Sequence, residues 1–240
     1  MRNLFAKIFF FSLIIFSSQI FSQQLNEYGL YVVKDIEQYI NMVDEDSSKE
    51  LVDLEEYIPG IVLDIKYATA DNFTHNIVYS QPKAYARLEV AKALKRVQEE
   101  LEKYGLGLKI FDAYRPYRFT VKFYELIRDS VFVASPWKGS RHNRGCAIDL
   151  TMIELSTKKE VEMPTPYDDF TDKAAAFYDN ITPEARSDRA ILQNVMVKNG
   201  FMIYNGEWWH FDFHDFQNYE LMDISFEDLE VMSKTFINDY

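Results

Sequence analysis

Apolar and polar residues alternate in several short runs along this chain, and between those runs the apolar residues recur at helical spacing. Gly60-Ile-Val-Leu-Asp-Ile-Lys-Tyr67 alternates like a strand, and residues 84–104 carry helix formers with apolar positions near a period of 3.6. Gly105 and Gly107 then stop the helix. Leu108-Lys-Ile-Phe-Asp-Ala-Tyr114 reads as a second strand, Pro116 suits the first turn of a helix reaching about Asp129, and residues 146–152 alternate again. Near the end, residues 201–204 and 207–213 flank Asn205-Gly206, the strongest short signal for a two-residue hairpin turn. The motif starting at Glu207 thus begins on a hairpin strand. Helices grouped between such strands predict an α+β domain, with helices packed around a mainly antiparallel sheet.

Ahead of this domain, residues 28–42 are amphipathic and residues 43–50 form an acidic polar run. The stretch 23–50 reads as an N-terminal extension to a domain spanning 51–240; its helix either packs on the domain or serves as a spacer. Arg2 and Lys7, the apolar run from Ile8 to Phe16 and the small residues Ser17, Ser18 and Ser22 form the pattern of an export signal over 1–22. The expected location is therefore periplasmic or secreted. The apolar run is short for a membrane span, so no stable transmembrane segment is expected once the signal is removed.

Composition narrows the picture further. The 240 residues are 48% hydrophobic and 16% aromatic, ample for one core. Formal charge is −12, and about −14 without residues 1–22, which carry two cations and no anion; nucleic acid is not an expected partner. The single cysteine, Cys146, rules out an internal disulfide and reads as a small buried hydrophobe. No repeat is present, and no feature specifies an oligomeric state.

The candidate chemistry lies in Ser140-Arg-His-Asn-Arg-Gly-Cys-Ala-Ile-Asp149 and Glu207-Trp-Trp-His210. Two imidazoles and a carboxylate supply three ligands to a borderline cation such as zinc and leave a fourth position open, the pattern of catalytic sites. Strand alternation puts Ala147, Asp149 and Thr151 on one face, so Asp149 can face a cleft, and the small Gly145 and Ala147 permit close backbone approach. Glu207 and His210 are three residues apart, which on a flat strand points them to opposite faces; a bend or bulge beside the turn would reconcile them. The same alternation admits a rival set of His210, Asp212 and His214. His75 lies in a turn-rich stretch and reads as surface.

These motifs together resemble the metallopeptidase family of D-alanyl-D-alanine dipeptidases and carboxypeptidases. The likeness runs from about Ile61 to Phe213 and includes Lys66-Tyr-Ala-Thr-Ala-Asp-Asn-Phe73, Asp112-Ala-Tyr-Arg-Pro116 and Met163-Pro-Thr-Pro-Tyr-Asp168, which point to the dipeptidase branch. The resemblance implies one zinc ion on the sheet face, held by His142, Asp149 and His210. It implies Glu207 as the base that takes a proton from the attacking water and passes it to the leaving amine, with Arg115 stabilising the oxyanion. Asp168, Ser140 and Tyr67 would receive the free ammonium of a small D-dipeptide, with Asp169 a close alternative to Asp168. Pro164 and Tyr167 stand where the family's loop usually carries glycine and phenylalanine, which leaves the strictness for D-alanine open. The implied function is zinc D,D-dipeptidase action in cell-wall peptide metabolism. One alternative is a D,D-carboxypeptidase acting on peptidoglycan stem peptides through an open groove; another is a non-catalytic, metal-containing module that binds cell-wall peptides.

Overall fold

In the computed structural model, which describes residues 24–130 and 132–238, the strands are β1 (Leu51–Asp53), β2 (Val62–Leu63), β3 (Tyr85–Arg87), β4 (Leu106–Asp112), β5 (Ala147–Glu154), β6 (Phe201–Ile203) and β7 (His210–Phe213). The helices are α1 (Ile36–Glu45), α2 (Leu54–Tyr57), α3 (Leu88–Glu102), α4 (Tyr117–Ile127), α5 (Pro183–Lys198) and α6 (Phe226–Asn238). The expected export segment, 1–22, lies outside the described residues. The main sheet runs β2-β4-β5-β7-β6, and β1 pairs with β3 in a small second sheet. The architecture is α+β, but the main sheet is mixed: β2 runs parallel to β4 and the other neighbours are antiparallel.

Burial explains where helices form. In α3, Val90, Ala91, Leu94, Val97 and Leu101 are fully buried at helical spacing, and the helix packs on β4 and α5. It starts later than residue 84, because Tyr85, Ala86 and Arg87 pair with Asp53, Val52 and Leu51 and are held extended. Gln98 closes the other end of this unit by accepting from Leu108 N at 2.8 Å. The N-terminal stretch lies against the same body: the buried Tyr39 hydroxyl accepts from Leu51 N at 2.6 Å, and Val33 exchanges backbone bonds with Leu221 and Asp223.

Two further departures from the sequence pattern matter for function. Only Val62 and Leu63 of the predicted strand 60–67 pair, with Lys109 and Ile110; the chain then tightens into a 3-10 turn at Lys66–Ala68 that drives Tyr67 into the interior. The Asn205-Gly206 turn does not close a two-residue hairpin. Ile203 pairs with Phe211, so residues 204–209 form a wider loop that sends Trp208 and Trp209 into the core. Burying a large aromatic removes about 150–250 Å² from water, roughly 4–6 kcal/mol at about 25 cal/mol per Å². That exceeds any preference among turn types, so the indoles set the loop.

Candidate active site

Asp149 on β5 and His210 on β7 are directly opposite each other across an antiparallel pair, and the turn before β5 delivers His142 to them. His142 Nε2 lies 3.3 Å from His210 Nδ1 and 3.4 Å from Asp149 Oδ1, and His210 Nδ1 lies 2.9 Å from that same oxygen. The remaining nitrogens are occupied: His142 Nδ1 is 2.7 Å from the Ala113 carbonyl and His210 Nε2 is 3.0 Å from Asp212 Oδ1. Because these outer partners only accept, each ring turns its other nitrogen's lone pair toward the cluster when neutral. Two lone pairs and a carboxylate oxygen then converge, all within 4.8 Å of one another and all from buried residues. Such a set calls for positive charge. Burial opposes a proton on His210, yet its bonds to Asp149 and Asp212 hold its pKa well above the usual imidazole value. For Asp149, burial works against ionisation, but the His142 and His210 rings keep its carboxyl well below the usual range.

The rival set does not assemble. Asp212 sits on the outer nitrogen of His210, and His214, 51% exposed, bonds the Gly200 carbonyl and Asp215. His75 is exposed, and Cys146 is buried with its thiol pushed up to about 12, chiefly by burial.

Glu207 belongs to the loop rather than to a strand, which removes the facing conflict with His210. Its Oε2 comes within 3.8 Å of His210 Nδ1, and its side chain is 15% exposed. Burial first, then Asp149 and Asp212, raise its pKa to about 7 against the pull of His210 and Arg115. Arg115 is fixed from below: a bulge near the end of β4 turns Asp112 so that its Oδ2 accepts from Arg115 Nε at 2.9 Å and Nη2 at 2.6 Å. The guanidinium lies over Tyr67 and Phe123 at 5.3 and 5.0 Å, and Nη2 is 4.0 Å from Asp149 Oδ2.

Opposite the cluster, the Tyr67 hydroxyl donates to Asp168 Oδ1 at 3.2 Å, while Asp168 Oδ2 is buried without a hydrogen-bond partner. Burial, then the charges of Asp149 and Glu207, push the Asp168 carboxyl well above its usual range. Asp168 adopts φ +60°, and Thr165 of the same loop accepts from Trp208 Nε1 at 3.0 Å, tying the loop to the indole that replaced the tight hairpin. Ser140 Oγ accepts from His142 N at 3.2 Å. Tyr67, Arg115, Ser140, His142, Asp149, Asp168, Glu207 and His210 thus all line one cavity of about 570 Å³. Asp169 instead accepts from Thr171 N.

Two residues of this site escaped the sequence reading in their structural part, Asp112 and Asp212, although both lie inside the motifs. Their signal is a carboxylate three residues before Arg115 and two after His210. Gly145 closes the His142 turn at φ +68°, where an added Cβ would come within 2.6 Å of Leu51 Cδ2 and 3.3 Å of Arg87 N. Gly145→Ala is expected to cost about 1–3 kcal/mol for a residue forced into that region. A lower urea midpoint at unchanged slope is the readout; an unmoved midpoint contradicts it.

A buried His-Asp-His cluster, a half-buried glutamate and a fixed arginine around one cavity on an α+β fold define a metallopeptidase. The chain belongs to the D-ala-D-ala dipeptidase family, which it matches over residues 47–229. It is 32% identical over 173 residues to the D-alanyl-D-alanine dipeptidase of Escherichia coli (strain K12), covering 72% of this chain and 89% of that one. It is 30% identical over 182 residues to the D-alanyl-D-alanine dipeptidase of Enterococcus faecium, covering 68% and 90%. Among solved structures, a variant of the vancomycin-resistance D,D-pentapeptidase VanY in complex with Zn(II) aligns over 58% of this chain and 78% of that one, at 13% identity and a TM-score of 0.36. That likeness is too slight to bear on the site.

Proposed function

We propose that this chain is a zinc D,D-dipeptidase that hydrolyses D-alanyl-D-alanine and similar small D-dipeptides in cell-wall peptide metabolism. The observation that carries the reading is one cavity holding both a cluster that demands a cation and a buried carboxylate oxygen, Asp168 Oδ2, that demands a donor. His142, Asp149 and His210 are the zinc ligands, on the face of the sheet where β5 and β7 meet; two imidazoles and a carboxylate suit that ion and leave a position open. Bound there, zinc supplies Lewis acidity toward the peptide carbonyl and lowers the pKa of a water.

The protein's own groups do the rest. Glu207, its pKa near neutrality, accepts a proton from the attacking water and returns it to the leaving amine. Arg115, permanently charged and immobilised by Asp112, lies where negative charge develops on the carbonyl oxygen. Asp168, with the oxygens of Tyr67 and Ser140, accepts from the substrate's free ammonium. A site that requires that ammonium rejects blocked amines and peptides extended at the amino end. Export is proposed on the pattern of Arg2, Lys7 and the apolar run after them; among the described residues, no helix is long and apolar enough to cross a membrane.

The zinc-loaded protein is expected to release D-alanine from D-alanyl-D-alanine and not from its N-acetylated form. A chelator is expected to abolish turnover, and zinc at 100 times its Kd to stabilise the fold by about 2.7 kcal/mol, seen as a higher Tm. A second reading, D,D-carboxypeptidase, has the cavity in its favour, since about 570 Å³ is room in the range of larger ligands. Cleavage of the N-acetylated substrate decides for it, and zinc uptake without cleavage of either leaves a binding module or an enzyme for another substrate.

A further inference from the structure

We propose that the Tyr167 hydroxyl is a positioning group for the cluster: it holds Asp149 so that one oxygen faces the cation, and thereby raises the cluster's affinity for a divalent metal. The inference rests on the reading of His142, Asp149 and His210 as ligands. The two oxygens of Asp149 have separate surroundings. Oδ1 faces His210 Nδ1 at 2.9 Å and His142 Nε2 at 3.4 Å, whereas Oδ2 accepts from the Tyr167 hydroxyl at 2.9 Å. A carboxylate pinned at its outer oxygen resists pivoting, so it presents a single ligand atom and keeps the coordination shell open for water and substrate.

The tyrosine ring is itself held, packing on Phe111 and Trp209 with centroids at 4.8 and 5.3 Å. Its hydroxyl also lies 3.2 Å from that of Tyr67. Each phenol has one proton. The shorter contact assigns that of Tyr167 to Asp149, which leaves that of Tyr67 for Asp168. The two hydroxyls therefore serve two buried carboxylates, one in the cluster and one in the amine pocket. Phenylalanine at this position would keep the ring contacts and remove only the donor, leaving Asp149 Oδ2 buried with the Arg115 guanidinium 4.0 Å away.

The test is zinc affinity of the full chain by competition with a chromophoric chelator, for wild type, Tyr167→Phe and Tyr67→Phe. Tyr167→Phe is expected to bind zinc about 10-fold to 100-fold more weakly, the range for loss of a group that orients a metal ligand. Its metal-free Tm is expected to stay within a few degrees of wild type, since packing is retained. Tyr67→Phe leaves the bond to Asp149 in place and is expected to match wild type in zinc affinity. Equal affinity of Tyr167→Phe and wild type overturns the inference alone, as does equal weakening in both variants. A wild-type chain that takes up no zinc overturns the ligand assignment first, and this inference with it.

Discussion

Glu207→Gln is expected to lower kcat for D-alanyl-D-alanine by about 10²–10⁴-fold, the range for loss of a general acid–base group, while zinc content and KM stay within about threefold. Glutamine has the same shape and cannot take a proton, so the change isolates the chemistry from the packing. The same substitution has a signature in stability that catalysis does not touch. Burial raises the Glu207 pKa from 4.5 to about 7, so the folded metal-free protein binds this proton more tightly than the unfolded chain does. Between those values wild type loses stability as pH rises, because the ionised form must be kept in a buried site. At about 1.36 kcal/mol per pH unit, this is at most about 3 kcal/mol. Metal-free Glu207→Gln is therefore expected to melt above wild type at pH values past 7, with the gap closing toward pH 4.5. A variant that retains kcat removes Glu207 from the proposed chemistry, and a gap independent of pH removes the account of its pKa.

The elements that local pattern controls were legible before the structure. The core of α3 follows its apolar spacing and β5 its alternation, and α4 forms just after Pro116, which caps it from outside rather than joining its first turn. What the pattern misplaced was decided by tertiary contacts. Residues 85–87 fall inside the run with helical spacing but serve as a strand because residues 51–53 offer them a partner. The Asn205-Gly206 signal is local, and the burial of Trp208 and Trp209 outweighs it. Motif residues could be named without knowing how they meet, and the apparent conflict between Glu207 and His210 came from assuming that both lie on one strand. The supports were less visible. Spacing puts a carboxylate three residues before Arg115 and another two after His210, but it does not say that Asp112 grips the one or that Asp212 occupies the outer nitrogen of the other, and it gives no sign that a tyrosine in a distant loop reaches Asp149. The first depends on a bulge, the second on how two side chains of β7 lean toward each other and the third on a loop path, none of which has a sequence period.

Asp168→Asn is expected to reduce kcat/KM for the free dipeptide by about 30-fold to 5,000-fold, the equivalent of about 2–5 kcal/mol for truncating one partner of a buried charge pair. Asparagine tolerates the left-handed φ of +60° that this position adopts, so the loop path is expected to survive and the loss to reflect chemistry. The physical case lies in the state of the empty pocket. Burial, with Asp149 and Glu207 nearby, keeps the carboxyl from ionising easily, and Oδ2 has no donor. An ammonium supplies both the donor and the compensating charge, so it opposes the burial and the neighbouring carboxylates that raise the Asp168 pKa. Asparagine can neither neutralise that amine nor accept from it as strongly. The discrimination between free and N-acetylated substrates is therefore expected to shrink together with kcat/KM, while zinc affinity holds. If Asp169→Asn produced this pattern instead, amine recognition would belong to the neighbouring carboxylate, which here bonds Thr171 N.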